Sequence, residues 1–326
     1  MRLTIVGSGM IVSDFLSIIT DLPEIQLESL VGTKRSWETL QAMKAEYGFR
    51  YCYTDAEEAF AKDSSDTAYI AVPNHLHYRF SKLALEAGKN VICEKPFTLK
   101  ADELRHLKVL AEEKGLILLE AITNQYLGNY AYIKETLPTL GDLKLVECNY
   151  SQYSSRYDAF KQGTVLPAFD REKGGGALMD INIYNIHFVV GLLGKPTAVY
   201  YYPNIERGID TSGILILDYD STKAVCIGAK DSESEIRTTL QGNKGALVVN
   251  GATNTLPSLT LSYHKSRPQE KNNNHHPHRM YSEFKQFIKV IAEGDLAFAR
   301  EQLEHSLIVM EVLEEARNSM AVMKES

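Results

Sequence analysis

Cysteine is scarce, and its placing excludes more than its number. The chain of 326 residues has four, Cys52, Cys93, Cys148 and Cys226. They are scattered, with no C-x-x-C pair and no histidine at zinc-finger spacing, so neither a disulfide framework nor a structural zinc is indicated. Reduced thiols in the cytoplasm are the simpler expectation. Positive charge is also short. Lys and Arg number 35 against 42 Asp and Glu, and the net charge of -7 offers no general basic field to a phosphate backbone, which argues against a nucleic-acid partner. Long apolar runs are missing as well. Residues 3–6 are too few for a signal peptide and no stretch approaches a membrane span, so no membrane partner is expected. What is present is ordinary globular composition, 44% hydrophobic and 24% charged, in a chain too long for one core and expected to form about two domains.

The stretch Val91-Ile92-Cys93-Glu94-Lys95-Pro96 organises the first half. Val91, Ile92 and Cys93 suit a buried strand, and Pro96 ends the ladder because it has no N–H to donate and restricts Lys95 to extended geometry. Glu94 and Lys95 therefore sit at a strand's carboxyl end, the rim where open parallel sheets bind ligands. An ammonium there can donate to a substrate oxygen.

Upstream, Arg2 to Val6 is a β-branched run that enters Gly7-Ser8-Gly9-Met10-Ile11-Val12 and then a helical stretch. The first two glycines fit G-x-G-x-x-G, and the backbone around Gly7, Gly9, Met10 and Ile11 can approach a pyrophosphate. Val12 stands at the third position, where glycine serves helix packing more than phosphate contact. A second strand at residues 27–31 is followed by Gly32-Thr33-Lys34-Arg35-Ser36 with no acid at its end. An Asp or Glu would bind a ribose 2'-hydroxyl, whereas Thr33, Lys34, Arg35 and Ser36 can hold a 2'-phosphate, which favours NADP while leaving NAD possible. Glu28 lies too early in the strand to be the missing acid. Trp37, the single tryptophan, opens the next helix, where it can stack on an adenine or pack half-buried.

Strands at 51–53 and 67–72 alternate with helices, as a doubly wound parallel sheet requires. The second of these ends in Val72-Pro73-Asn74-His75-Leu76-His77. A helix at about 101–113 and a sixth strand at 116–120 follow, and the composition then changes. Domains at 1–121 and 122–326 are expected.

In the second half, Gly174-Gly175-Gly176 leads into a segment where helical spacing puts Asp180, Tyr184 and His187 at i, i+4 and i+7. That is one face bearing a carboxylate, a phenol and an imidazole, with Leu178, Ile181, Ile183 and Val189 able to bury on the other. Alternating runs at 143–153, 198–202, 213–219, 224–229, 236–240, 246–249 and 259–263 read as strands. The loop Asn272-Asn273-Asn274-His275-His276-Pro277-His278 reads as a substrate-facing polar loop rather than a metal site, and no metal is expected. Helices at 281–293 and about 298–320 finish the chain.

With Gly7 and Gly9 after the first strand, Pro73-Asn74-His75 after the fourth and Glu94-Lys95-Pro96 after the fifth, the chain resembles the glucose-fructose oxidoreductase and inositol dehydrogenase family, Gfo/Idh/MocA. The resemblance covers essentially the whole length. It implies an α/β fold, an N-terminal Rossmann doubly wound parallel sheet plus a C-terminal α+β domain. The latter's large, open, mostly antiparallel sheet often forms the interface of a homodimer or higher homo-oligomer. It also implies an NAD(P)-dependent dehydrogenase acting on a sugar, polyol or diol. Lys95 would lie beside the nicotinamide and reacting carbon, and Val72, Pro73, Asn74, His75, His77 and Glu94 would line the cofactor. The glycine-rich turn and helix would carry the acid/base residue, here Tyr184 where many relatives have His, as in the glucose-fructose oxidoreductase and dihydrodiol dehydrogenase branches. Asp180 would orient Lys95 or a hydroxyl, and Gln125 and His187 would face the substrate. Gln125 stands where relatives of this branch often have Arg, and its neutrality counts against an acidic sugar. Other members hydrolyse glycosides through a redox cycle on tightly bound NAD, or have become cofactor sensors. Keeping both Lys95 and Tyr184 counts against a sensor.

Overall fold

The first strand forms where Leu3, Thr4, Ile5 and Val6 are buried in succession, a pattern that suits a parallel sheet covered on both faces. The computed structural model describes residues 1–325, and side chains as far as Ser319. In it, β1 (Arg2–Val6), β2 (Gln26–Val31), β3 (Tyr51–Tyr53), β4 (Thr67–Ile70), β5 (Asn90–Glu94) and β6 (Leu118–Ala121) make one sheet in the order β3-β2-β1-β4-β5-β6. Every pair is parallel. The connecting helices are α1 (Met10–Leu16), α2 (Trp37–Tyr47), α3 (Ala56–Lys62), α4 (His77–Glu86) and α5 (Ala101–Lys114). The strand order reverses at β1 and β4, and that switch point is where a doubly wound sheet opens a crevice at its carboxyl ends.

The chain divides into two compact units, with a break between Ala121 and Ile122. In the second, α6 (Gly128–Thr136), β7 (Leu143–Ser151), α7 (Tyr157–Lys161) and α8 (Ile183–Leu193) precede a run of strands. These are β8 (Ala198–Glu206), β9 (Ile209–Tyr219), β10 (Thr222–Ala229), β11 (Arg237–Gly242), β12 (Gly245–Val249), β13 (Leu259–Tyr263) and β14 (Gln269–Lys271). They form an eight-stranded sheet in the order β14-β13-β12-β11-β7-β10-β9-β8. The β7–β10 pair is parallel and the others are antiparallel. Alternation divides its faces. Val146, Cys148, Leu215, Leu217 and Cys226 are buried on one, where α8 meets β7 and β10. Tyr200, Tyr202, Ile214 and Leu145 stay exposed on the other.

Residues 171–193 are long and apolar enough by composition to cross a membrane, although no membrane span is expected from the sequence. They fold instead as a turn, a π-helical turn and α8, with 78% of the apolar window buried inside the protein. Two more helices follow, α9 (Arg279–Glu293) and α10 (Leu296–Glu325). Here the expected division at 122–326 needs correcting, because Glu283–Leu307 belong with the first unit and the chain from Ile308 onward with the second. Aromatic packing explains the return. The Phe284 ring stacks on Phe15 with centroids 4.1 Å apart and meets Tyr69 edge-on at 5.3 Å, and Lys285 pairs with Glu24 and Lys108 with Glu304. Burying three large rings together contributes several kcal/mol at about 25 cal/mol per Å².

Candidate active site

At the carboxyl rim of the first sheet, Gly7 and Gly9 serve different ends. Gly7 has φ +130°, and a β-carbon there would lie 2.2 Å from the Ala71 carbonyl oxygen, so β4 passes too close for any other residue. Gly9 has ordinary φ and ψ, -84° and -177°, and nothing lies within 4 Å of where its β-carbon would be. The chain itself needs Gly7, whereas Gly9 keeps space open beside Met10 and Ile11. Val12, at the third glycine position, is fully buried.

Beyond β2, Thr33 and Ser36 cap each other. Ser36 N–H donates to Thr33 Oγ1 at 3.3 Å and Thr33 N–H to Ser36 Oγ at 2.9 Å, a capping box that fixes the turn. Their hydroxyls thus shape the turn, and Lys34 and Arg35 project from it exposed. Glu28 is fully buried and pairs with Arg50 at 3.2 Å, so no carboxylate stands at this strand end. Trp37 is 42% exposed.

Lys95 is half-buried on the turn after β5, and its bond to Pro96 is cis. Neighbours hold this turn in place. Glu120 Oε1 accepts the Phe97 N–H at 2.9 Å, and Glu94 Oε1 accepts the Tyr69 hydroxyl at 2.6 Å. The His77 ring lies between the Pro96 carbonyl, 2.7 Å from Nδ1, and the Val72 carbonyl, 2.9 Å from Nε2. It is wholly buried, and burial pushes its pKa below the ordinary histidine value. His77 and Glu94, expected on the cofactor, are thus occupied in bracing the loops after β4 and β5. Val72 and Asn74 are half-buried there, and Pro73 and His75 exposed. Glu120 and Tyr69 escape sequence reasoning because buried polar groups in apolar strands carry no local signal.

In the second unit, residues 178–182 form a π-helical turn that runs into α8, a feature frequent at functional sites. The polar face expected from helical spacing is not a solvent face. Residues 183–190 are all buried, so α8 is a core helix rather than an amphipathic one. Its polar side chains find partners inside: Asn182 Nδ2 donates to the Cys226 carbonyl at 3.0 Å and Asn185 Nδ2 to the Ile227 carbonyl at 3.0 Å. The Tyr184 side chain sits 6.1 Å from the Tyr150 ring, and the residue is 8% exposed. Asp180 keeps a third of its side chain exposed and pairs with Lys230 at 2.6 Å, a lysine that local pattern does not single out.

Of Gln125 and His187, both expected on the substrate, His187 is enclosed by the protein and Gln125 keeps part of its surface open. Gln125 Nε2 donates to Asn124 Oδ1 and to the His187 carbonyl, both at 3.0 Å, and His187 is fully buried. His187 belongs to the packing of α8, whereas Gln125 stays half-buried on the turn after β6. The asparagine loop also ties inward: Asn129 N–H donates to Asn274 Oδ1 at 3.0 Å and Asn129 Nδ2 to Asn272 Oδ1 at 3.0 Å. This docks the loop on α6 and leaves a cavity of about 430 Å³ beside it. Among the described residues, no three His, Cys, Asp or Glu side chains are grouped to hold a metal.

A parallel sheet of order 3-2-1-4-5-6 with a glycine turn, a basic turn and a lysine turn along one rim defines a dinucleotide-binding oxidoreductase unit. The chain belongs to the Gfo/Idh/MocA family. Residues 1–121 match the family described as "Oxidoreductase family, NAD-binding Rossmann fold", and residues 136–248 match its C-terminal domain. The protein is therefore an NAD(P)-dependent oxidoreductase. Scyllo-inositol 2-dehydrogenase (NADP(+)) IolU of Bacillus subtilis (strain 168) is 33% identical over 99% of this chain and 98% of its own. The trans-1,2-dihydrobenzene-1,2-diol dehydrogenase of Sus scrofa is 25% identical over 99% and 97%. Among solved structures, KijD10, a 3-ketoreductase from Actinomadura kijaniata in complex with NADP and TDP-benzene, superposes with a TM-score of 0.84. It is 20% identical and covers 98% of this chain and 97% of its own, a likeness of fold. The residues present fit the dinucleotide the family implies. Gly9 leaves the space that a β-carbon would fill, and Lys34 and Arg35 stand exposed where an acidic ribose ligand would otherwise be.

Proposed function

We propose that the protein is an NADP-preferring dehydrogenase that moves hydride between the nicotinamide and a carbinol carbon of a neutral sugar, polyol or diol. The observation that carries this reading is Lys95, an ammonium on a turn braced by Glu120 and His77 at the same rim as the Gly7–Gly9 turn. The relative named for NADP-dependent inositol oxidation, alike over nearly the full length of both chains, supports the substrate class, as do the relatives named for diol oxidation. Lys34 and Arg35, with Glu28 buried and paired elsewhere, support the 2'-phosphate.

Bound NADP supplies the hydride acceptor. Lys95 donates a hydrogen bond to the carbinol oxygen and offsets the negative charge that grows there as the proton leaves. Tyr184 takes that proton. A phenol has a reference pKa of about 10, and a cation beside the reacting oxygen favours its ionised form. Asp180 accepts from a substrate hydroxyl and so orients the ring or chain that bears it. We further assign self-association to the exposed sheet face of Tyr200, Tyr202 and Ile214, and a cytoplasmic setting in keeping with four free cysteines.

The test is reduced-cofactor absorbance with NADP, and separately NAD, over inositols, open-chain polyols, aldoses and vicinal diols. Expected is NADPH formation with one of these classes and a loss of about 10²–10⁴-fold in kcat for Lys95→Met and Tyr184→Phe. Turnover that survives both substitutions sinks the assignment. Cofactor binding without oxidation of any class, joined to release of sugar from nitrophenyl glycosides, replaces it with the redox-cycling hydrolase.

A further inference from the structure

The Lys230 side chain is 3% exposed, and so complete a burial of an ammonium is costly unless its donors are spent. Three partners are close at hand. Nζ donates to Asp180 Oδ2 at 2.6 Å and to the Ala168 carbonyl at 2.5 Å, and lies 4.5 Å from the centre of the Phe169 ring. The backbone is equally fixed: Lys230 N–H donates to the Thr211 carbonyl at 2.8 Å, and its own carbonyl accepts the Ser154 N–H at 2.9 Å. This rigid cation meets Asp180 within the π-helical turn, four residues before Tyr184.

We propose that Lys230 is a positioning residue whose ammonium locks the Asp180 carboxylate into one rotamer as a permanent hydrogen-bond acceptor. The inference rests on the dehydrogenase reading for its consequence but not for its geometry. An ionised carboxylate only accepts, so any substrate group that meets it must be a donor, as a hydroxyl of a polyol or diol is. A substrate carboxylate at that point would be repelled. Lys230 thereby makes Asp180 a selector for neutral polyhydroxylated substrates.

Other titratable groups lie on the surrounding elements. Asp210 on β9 accepts the Leu178 N–H at 2.7 Å and the Tyr201 hydroxyl at 2.8 Å. Burial raises its pKa, while the field of Lys230 opposes that rise. Asp231 is turned to the Thr211 and Ser212 hydroxyls, Arg317 on α10 feels Asp210 and Arg171, and Tyr184 lies on the same helical run. Lys230 pairs with Asp180 at 2.6 Å.

The experiment is the pH profile of kcat/KM for wild type, Lys230→Met, Asp180→Asn and the double variant, on whichever polyol the wild type oxidises. Removing the cation makes Asp180 easier to protonate. The acid limb should then move to higher pH by about one to three units in Lys230→Met, and the double variant should be no worse than Asp180→Asn within about threefold. An unmoved acid limb, or losses that multiply, overturns the proposal. A direct reading needs neither turnover nor a variant that folds poorly: ¹³C-carboxyl titration of wild type, with Asp180 assigned by its loss in Asp180→Asn. Titration below the ordinary aspartate value near 4 supports the proposal, and titration at or above it refutes it. If wild type oxidises nothing in the panel, the dehydrogenase reading fails while this titration still decides the role of Lys230.

Discussion

The two glycines of the first turn make opposite predictions under the same substitution. In Gly7→Ala the new β-carbon would stand 2.2 Å from the Ala71 oxygen and 2.7 Å from its carbon. Neither partner is free to retreat, since Gly7 N–H donates to the Val31 carbonyl at 2.8 Å and Ala71 N–H to the Val6 carbonyl at 2.9 Å. A positive φ costs a residue with a β-carbon ~1–2 kcal/mol, and losing one of these hydrogen bonds adds ~1 kcal/mol. A loss of about 2–3 kcal/mol is expected, read by circular dichroism as a fall of roughly 5–10 °C in the melting of a unit of this size. Gly9→Ala has an allowed backbone and open space around it, so stability should fall by no more than the ~1 kcal/mol that separates Gly from Ala at a helix N-cap. Its effect should appear when NADPH is titrated against Trp37 emission, as affinity at least about tenfold weaker, or ~1.4 kcal/mol. Undiminished NADPH affinity in Gly9→Ala would remove the glycine turn from the cofactor site. A Gly7→Ala protein as stable as wild type would refute the close-approach argument.

Three further outcomes can be checked. Replacing Lys34 and Arg35 together with Glu should weaken NADPH by about 10²–10⁴-fold, at ~1.5–3 kcal/mol for each of the two charge-assisted hydrogen bonds removed, and leave NADH nearly unchanged in the same Trp37 titration; equal weakening for both cofactors contradicts the 2'-phosphate assignment. Asp63 has a buried side chain, and burial alone would raise its pKa; hydrogen bonds from Thr4 and Ser65 and the charge of Lys89 outweigh that and hold it below the ordinary value. Its contribution is thus complete above about pH 4 and lost as pH falls through the lower folded value, so Asp63→Asn should cost about 3 kcal/mol at pH 7 and flatten the acid limb of urea-unfolding stability; an unchanged acid limb argues otherwise. Tyr202→Glu with Ile214→Glu, which are paired across β8 and β9, should halve or further reduce the mass seen by light scattering, and an unaltered mass places self-association elsewhere.

The parallel sheet is legible in the sequence because its strands are mostly apolar runs, several of which lead into Gly, Pro or Lys turns, signals that need no tertiary context. Lys95 stands out for the same reason. The π-helical turn does not, since helical spacing is counted at 3.6 residues per turn and a widened turn depends on what it packs against. The burial of His187 is not legible either, because spacing cannot distinguish a wet face from one packed inside the protein. Lys230 stands fifty residues from Asp180, Glu120 twenty-three from Phe97, and only the folded chain joins them. β14 is Gln, Glu and Lys, an edge strand with no apolar alternation to betray it.

The stacking of Phe284 on Phe15 sets an order on synthesis. A ribosome releases the glycine turn, the basic turn and the lysine turn early, yet the ring that completes the core beneath α1 emerges only near the end of translation. A chain cut after Ala121 would carry every rim residue and still lack Phe284, leaving Phe15 and Tyr69 uncovered on that side. The nucleotide-binding unit is therefore discontinuous in sequence, and a single cut after Ala121 does not release all of it.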